Sequence, residues 1–304
     1  MNLIFMGTPD FAIPSLKILS KSKHKILAVV TTPDKEKGRG RKVSFSAVKK
    51  YALENNIKIL QPEKLKNENF IEELKNYNPD LFVIVAFRIL PPEVFKIPKF
   101  GSFNLHASLL PKYRGAAPIQ WALINGEKET GVTTFSLEEK VDTGNVYIQE
   151  KIEIEEDDDF GTLHDKLSAL GADVVLGTVD LLESGDFVLK EQTGNKVTYA
   201  PKITKEITEI DWNKNAEDIH NLVRALSPYP GASFYYNDRM FKIYKTKVLK
   251  NEELSHGKIQ QSKEELIIGC GKDSLSILEV QMEGKNKLNI AEFLRGYSFN
   301  KLED

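Results

Sequence analysis

Between residue 1 and about residue 110, short β-branched or apolar runs alternate with segments of helical spacing, and this alternation constrains the fold more than any other feature of the chain. Strand-type runs fall at residues 3–6, 26–31, 57–60, 81–86 and 102–106. Between them Ala12, Leu16 and Leu19, then Val48 and Ala52, then Phe70, Leu74 and Tyr77 recur on one helix face. Such β-α-β order predicts a parallel, doubly wound α/β sheet, because parallel neighbours need a crossover. The run Leu81-Phe82-Val83-Ile84-Val85-Ala86 is apolar at every position, as expected of a central strand covered on both faces. Ligands of such sheets sit at the carboxyl ends of the strands.

Helical spacing returns at Leu163, Leu167 and Leu170 and runs towards Leu182, where Glu183-Ser184-Gly185-Asp186 interrupts it. Residues 188–206 are polar, carry Gly194 and Pro201, and show no sustained periodicity, which predicts an extended linker. Beyond it come one helix through Ile219, Leu222, Val223 and Leu226 and short strand-type runs at 232–236, 241–249, 266–269 and 276–280. Several short strands within about 100 residues suggest a small barrel or sandwich. The expected organisation is residues 1–187, a linker at 188–206, and a small β domain at 207–304.

Charge is nearly balanced, with 42 Lys+Arg against 44 Asp+Glu, so any cationic partner surface has to be local. The single cysteine, Cys270, excludes an internal disulfide, and five histidines leave little for a structural zinc site. The chain enters a strand-type run directly, without the basic and apolar regions of a signal peptide, and has no apolar stretch of the roughly 18–20 residues needed to cross a bilayer. A cytoplasmic monomer is expected.

The turn Gly7-Thr8-Pro9-Asp10-Phe11 follows a strand but lacks the G-x-G-x-x-G glycines of dinucleotide binding. The informative segment is 103–118. Strand side chains alternate, so Asn104 and His106 project from one face while Phe103 and Leu105 take the other. A histidine here can simply be a hydrogen-bonded core residue. Beside Asn104 it also suits acyl transfer, where donors must meet a developing oxyanion. Metal binding is a poor reading, since Asn is a weak ligand and no second His or Cys is near in sequence. Farther on, Asp142-Thr143-Gly144 invites comparison with an aspartic protease, but that chemistry needs two carboxylates sharing a proton and no second such triplet exists. A turn closed by Asp142 before Gly144 is the alternative.

Taken together, Asn104-x-His106, Ser108-Leu109-Leu110-Pro111, Arg114-Gly115-Ala116-Ala117-Pro118 and Asp142-Thr143-Gly144 resemble the signature of the folate-dependent formyltransferases. Residues 5–11, Thr32-Pro33-Asp34, Tyr199-Ala200-Pro201-Lys202-Ile203, Ile210-Asp211-Trp212, Pro228-Tyr229-Pro230-Gly231 and Phe293-Leu294-Arg295-Gly296 extend the resemblance nearly end to end, and towards members that act on the methionyl ester of initiator tRNA.

The resemblance implies a Rossmann-like catalytic domain with a parallel-rich sheet and a C-terminal β-barrel of OB type that assists tRNA binding. It implies Asn104, His106 and Asp142 as catalytic residues. The formyl donor would be 10-formyltetrahydrofolate lying against Ser108, Leu109, Leu110 and Pro111, and no metal is expected. Lys37, Arg39, Arg41 and Lys42, in a Gly-punctuated loop, would approach the tRNA acceptor arm. The basic run Arg239, Lys242, Lys245, Lys247 and Lys250 would add charge from the small β domain. Two segments depart from the family pattern: Ala86-Phe87-Arg88-Ile89-Leu90 lacks a glycine, and Lys140-Val141 replaces Gly-Leu before Asp142, with Asn145 after the glycine in place of Asp. An amino-sugar nucleotide or purine intermediate as acceptor, or a non-catalytic RNA-binding role, are the rival readings.

Overall fold

The computed structural model describes residues 1–37, 42–251 and 254–299. The chain forms two compact units: Met1–Pro118, Glu129–Glu153 and His164–Ala200 make the first, and Ile119–Lys128, Ile154–Leu163 and Pro201–Asp304 the second.

Strands of the first unit are β1 (Asn2–Gly7), β2 (Lys25–Val30), β3 (Lys35–Lys37), β4 (Lys42–Ser44), β5 (Ile59–Leu60), β6 (Leu81–Val85), β7 (Ser102–His106), β8 (Arg114–Gly115), β9 (Glu129–Ser136), β10 (Val146–Glu153) and β11 (Tyr199–Ala200). The helices up to this point are α1 (Ile13–Ser20), α2 (Ala47–Glu54), α3 (Glu68–Asn76), α4 (Pro92–Phe95), α5 (Pro118–Ile124) and α6 (Phe160–Ser184). Seven strands make the main sheet in the order β10-β9-β7-β6-β1-β2-β5. The five from β5 to β7 are parallel, and β9 and β10 continue the sheet antiparallel. The winding direction reverses between β1 and β6, which puts a crevice at their carboxyl ends.

Local sequence sets the helix starts. Ser46 Oγ accepts the Lys49 N–H at 3.0 Å to open α2, and Asn67 Oδ1 accepts the Phe70 N–H at 3.2 Å to open α3. Phe70 and Leu74 then bury one stripe of α3 with Ile4, Met6, Val30, Phe82 and Ile84 of the sheet and Val94 and Phe95 of α4. The opposite face meets α6. A Cβ on Gly171 would come within 2.6 Å of Leu105, and Thr178 Oγ1 lies 2.7 Å from Thr134 Oγ1. Leu105 and Thr134 are cross-strand partners, so they share that face.

The second unit adds α7 (Lys205–Thr208), α8 (Ala216–Ala225), β12 (Ala232–Tyr236), β13 (Arg239–Leu249), β14 (Ile259–Gln261), β15 (Leu266–Gly269), β16 (Ser274–Met282), β17 (Leu288–Asn289) and α9 (Ile290–Leu294). Its sheet is antiparallel, in the order β12-β13-β16-β15-β14 with β17 on β16, and curls into a half-barrel. Register shifts after Ile243 and Lys245 bend the long β13, as bulges do. Asn237 and Asp238, both at positive φ, close the β12–β13 hairpin with the turn that two-residue loops favour. Ile219 and Val223 of α8 fill the sheet's concavity with Phe234, Phe241, Leu275 and Phe293. Cys270 is part of this core; burial pushes its thiol up to about 12, which makes it an inert packing residue.

In the first unit, Lys23 Nζ lies 2.9 Å from both Asp180 Oδ1 and Glu183 Oε2, and His24 Nε2 lies 3.1 Å from Asp180 Oδ1. His24, Asp180 and Glu183 bring ligand-type atoms within 4.8 Å of one another, but the Lys23 ammonium already bonds both carboxylates, so this is an ion-pair cluster. The Lys23 hydrogen bond, with a contribution from the amino terminus, lowers the Glu183 carboxyl to about 2. A carboxyl lowered in the folded state contributes stability that is present above its unfolded value near 4.5 and is lost as pH falls towards 2. Glu183→Gln should therefore flatten the fall of stability across that window in urea unfolding at stepped pH. An unchanged acid slope would show that the pair does not contribute.

Candidate active site

β7 carries two polar residues out of the sheet on the face turned away from α6. Asn104 is paired with Ile84 and Phe135 and His106 with Thr133, while Leu105 between them faces Gly171. Asn104 is half-buried, and among the described residues its carboxamide has no hydrogen-bond partner. His106 is 6% exposed, and its Nε2 lies 2.8 Å from the carbonyl oxygen of Tyr113. A carbonyl only accepts, so Nε2 carries a proton in this contact. Nδ1 is the nitrogen that this bond leaves available. It lies 3.9 Å from Asp142 Oδ2, beyond direct hydrogen bonding. The ring is thus oriented by a main-chain carbonyl.

Asp142 sits at φ 56°, in the left-handed region a non-glycine residue adopts only under constraint. Three contacts supply that constraint. Its Oδ2 accepts the Gly115 N–H at 2.8 Å. Gln192 Nε2 donates to the carbonyls of Asp142 at 3.0 Å and Gly144 at 2.8 Å. Gln192 Oε1 in turn accepts from Arg114 Nε and Nη2, at 3.1 and 2.7 Å. Gly144 lets the loop return tightly, since a Cβ there would sit 1.7 Å from the Ser136 carbonyl oxygen. The structure therefore brings His106 and Asp142 together, with Asn104 two residues before His106 on the same strand face.

The turn 108–111 is held by internal hydrogen bonds. Ser108 is fully buried and its hydroxyl donates to the Lys112 carbonyl at 2.7 Å. Thr133 Oγ1 donates to the Ser108 carbonyl and accepts from the Leu110 N–H, and Gln149 Nε2 donates to the Leu110 carbonyl at 2.9 Å. Leu110 is buried as well, so Leu109 and Pro111, both half-buried, are the surface this turn offers. On the neighbouring strand's exit, Arg88 Nη1 and Nη2 donate to the carbonyls of Glu63 and Pro62, at 3.1 and 2.8 Å, and leave Ile89 76% exposed. Thr8 Oγ1, just past β1 at the switch in winding, is buried without a partner among the described residues.

Of the basic residues expected to meet tRNA, Arg39 and Arg41 lie outside the described residues. Lys37 and Lys42 are backbone partners in the β3–β4 ribbon. Near its base, Thr31 Oγ1 lies 2.8 Å from Ser46 Oγ, and Lys49 Nζ donates to Asp34 and Gln61. Lys49 is thus already paired, and its hydrogen bond lowers the Asp34 carboxyl. In the second unit, Lys245, Lys247 and Lys250 are exposed on and after β13, and Lys242 Nζ donates to the Pro230 carbonyl at 2.9 Å. Tyr229, between Pro228 and Pro230, is 77% exposed. A cleft of about 860 Å³ in this unit is lined by Lys245, Lys247 and Lys250 but also by Glu156, Asp157 and Glu279, so its charge singles out no anionic ligand.

Tyr113, Gln192, Thr133 and Gln149 escaped sequence reading. Tyr113 acts through its main chain, which carries no residue-type signal, and Gln192 falls in the polar stretch that reads as linker. Arg114 stood inside a motif without a role.

A family model described as Formyl transferase matches residues 1–179, and one described as Formyl transferase, C-terminal domain, matches residues 202–298. The chain is similar to the methionyl-tRNA formyltransferase of Caldanaerobacter subterraneus subsp. tengcongensis, 50% identical over 303 residues that cover 98% of this chain and 97% of that protein. It is 48% identical to the methionyl-tRNA formyltransferase of Thermodesulfovibrio yellowstonii, over 99% of this chain and 97% of that protein. Among solved structures it superposes on the methionyl-tRNA formyltransferase from Clostridium thermocellum with TM-score 0.56 at 19% identity, over 89% of this chain and 100% of that one. It superposes on HypX from Aquifex aeolicus, solved in complex with tetrahydrofolic acid, with TM-score 0.67 at 19% identity over 96% of this chain, and spans 46% of that longer protein. These two superpositions speak for the fold.

The tight return at Gly144 is open to test. Gly144→Ala places a methyl group against the Ser136 carbonyl, and overpacking of this kind costs about 1–3 kcal/mol. Urea unfolding should show a lowered midpoint; a wild-type midpoint would mean that the loop does not make this approach.

Proposed function

The chain belongs to the formyl transferase family, and from that premise we infer that it transfers a formyl group from a tetrahydrofolate carrier to the α-amino group of methionyl-initiator-tRNA. The observation that carries the site assignment is the placement of a carboxamide, Asn104, and an imidazole nitrogen, His106 Nδ1, both without a hydrogen-bond partner among the described residues, on one strand face beside the Asp142 carboxylate.

The residues present fit a folate. Leu109, Pro111 and exposed Ile89 offer apolar surface, and Thr8 Oγ1 and Asn104 have unused hydrogen-bonding capacity near the switch in winding. When bound, 10-formyltetrahydrofolate supplies the formyl carbon on N10, which an amine attacks directly with no covalent enzyme nucleophile. The α-amino group of an aminoacyl ester titrates near or below about 8, so a useful fraction is neutral at pH 7.

Asn104 donates to the carbonyl oxygen as negative charge develops there. His106 can add a second donor only as imidazolium, because the one proton of the neutral ring is held on Nε2 by Tyr113. Asp142 lies close enough to offset that charge and, directly or through one water, takes the proton lost by the amine and passes it to N10 as the C–N10 bond breaks. The products are N-formylmethionyl-tRNA, used to initiate translation, and tetrahydrofolate.

The tRNA reading rests on the basic, Gly-punctuated sequence 37–42 and on the lysines of β13. Alternating outward lysines on a curled antiparallel sheet can track a phosphate backbone, and Tyr229 offers a ring on which an unstacked base can sit. An amino-sugar nucleotide as acceptor is not favoured, since the near-full-length relatives at 48–50% identity are named for methionyl-tRNA.

His106→Ala and Asn104→Ala should each lower kcat by at least ~10²-fold in an assay with formyl-folate and charged initiator tRNA, the scale of losing an oxyanion donor. Near-wild-type turnover in a folded variant would remove that residue from the mechanism. Asp142→Asn should reduce turnover far more than tRNA affinity. Arg39→Ala should weaken use of charged tRNA and leave folate binding, measured without tRNA, unchanged. Equal loss of both would assign the loop a structural role.

A further inference from the structure

We propose that the segment from Lys190 to Ala200 is part of the catalytic apparatus, with Gln192 and Thr198 as positioning residues that set the two groups facing His106. The inference rests on the reading of Asn104, His106 and Asp142 as catalytic, and adds residues that reading does not contain.

The segment lies across the active-site loops as a strap. At its start, Lys190 and Val146 exchange main-chain hydrogen bonds at 2.8 and 3.1 Å, just past the Asp142 loop. Gln192 then uses its whole carboxamide: both N–H donors reach loop carbonyls, at Asp142 and Gly144, and its oxygen accepts twice from Arg114. With all four capacities met, neither the amide orientation nor the loop carbonyls are free to swing. Thr198 Oγ1 accepts the Tyr113 N–H at 2.8 Å, and the Thr198 carbonyl accepts the Arg114 N–H at 2.9 Å. The strap ends in β11, parallel to β8, where the Ala200 carbonyl accepts from the Ala116 and Ala117 N–H groups at 2.8 and 3.1 Å. Gly115 permits this approach, since a Cβ there would lie 2.7 Å from the Ala200 carbonyl oxygen.

Both sides of the imidazole depend on this segment. Tyr113, whose carbonyl holds Nε2, is held by Thr198; Asp142, which faces Nδ1, is held by Gln192 and by Gly115 of the strap-paired β8. Tyr113 and Asp142 both sit at positive φ, 60° and 56°, conformations that persist only while their surroundings over-determine them. Removing a strap contact lets the loop relax and moves a reacting group by a fraction of an ångström to an ångström, a displacement that can cost up to about 10²-fold in rate.

Two variant sets test this in the full-length protein. Gln192→Leu should lower kcat about 10–100-fold while KM for tRNA and for formyl-folate changes less than about threefold. Because Gln192 acts through Asp142, adding it to Asp142→Asn should slow that variant by no more than about threefold further. Thr198→Val, which keeps the shape and loses the acceptor, should likewise lower kcat, and Thr198→Ser should restore it to near wild type. Losses that multiply in the double variant, or Thr198→Ser as slow as Thr198→Val, would overturn the proposal by pointing to general structural damage. Wild-type kcat in Gln192→Leu with an inactive Asp142→Asn would sink the strap and leave the catalytic assignment standing. Wild-type kcat in Asp142→Asn would remove that assignment and the inference with it. The threonine pair keeps the test decisive if Gln192→Leu fails to fold.

Discussion

One hydrogen bond, from His106 Nε2 to the Tyr113 carbonyl, decides which side of the imidazole is available for chemistry. With Nε2 committed, Nδ1 is the nitrogen that faces Asp142, on the side where the proposed reaction takes place. The charge state of the ring then selects its role: as imidazolium it donates to an oxyanion, and as neutral imidazole it offers only a lone pair there. Asn104 has no such ambiguity, because its amide donates at any pH in the working range.

That bond holds only if residues around it adopt backbone conformations that an isolated chain avoids. Tyr113 and Asp142 are both left-handed, and Gly144 and Gly115 are needed where main chain passes close to the Ser136 and Ala200 carbonyls. The sheet supplies rigidity on one side, with β7 fixed between β6 and β9. The 190–200 segment supplies it on the other. The site is thus an irregular assembly of loops held against a regular strand, the usual division of labour in α/β proteins.

Sequence periodicity read the regular part well. The apolar runs at 81–86 and 102–106 became β6 and β7 within a residue, and the alternation within 103–106 placed Asn104 and His106 together. β5 is shorter than its run at 57–60, keeping Ile59–Leu60, because only Val29 and Val30 pair with it. The small β domain was legible as several short strands of a barrel or sandwich, and it is an antiparallel curled half-barrel; the bulges that bend β13 leave no mark in a pattern of alternating Lys and apolar residues. The loop chemistry was legible only as motif. The Ser108 hydroxyl donates to the Lys112 carbonyl, a bond that no local pattern announces. Gln192 and Thr198 sit in a stretch whose composition is that of a linker, and their partners are main-chain atoms or an arginine 78 residues away in sequence. Contacts of that kind have no local period to betray them.

The Tyr113 carbonyl fixes the His106 proton on Nε2 and leaves Nδ1 facing Asp142. Long-range ¹H–¹⁵N correlation spectra of imidazole-labelled protein, recorded across pH, read this directly. The neutral ring of His106 should carry its proton on Nε2, with Nδ1 bare. A neutral ring carrying its proton on Nδ1, with Nε2 bare, would contradict it.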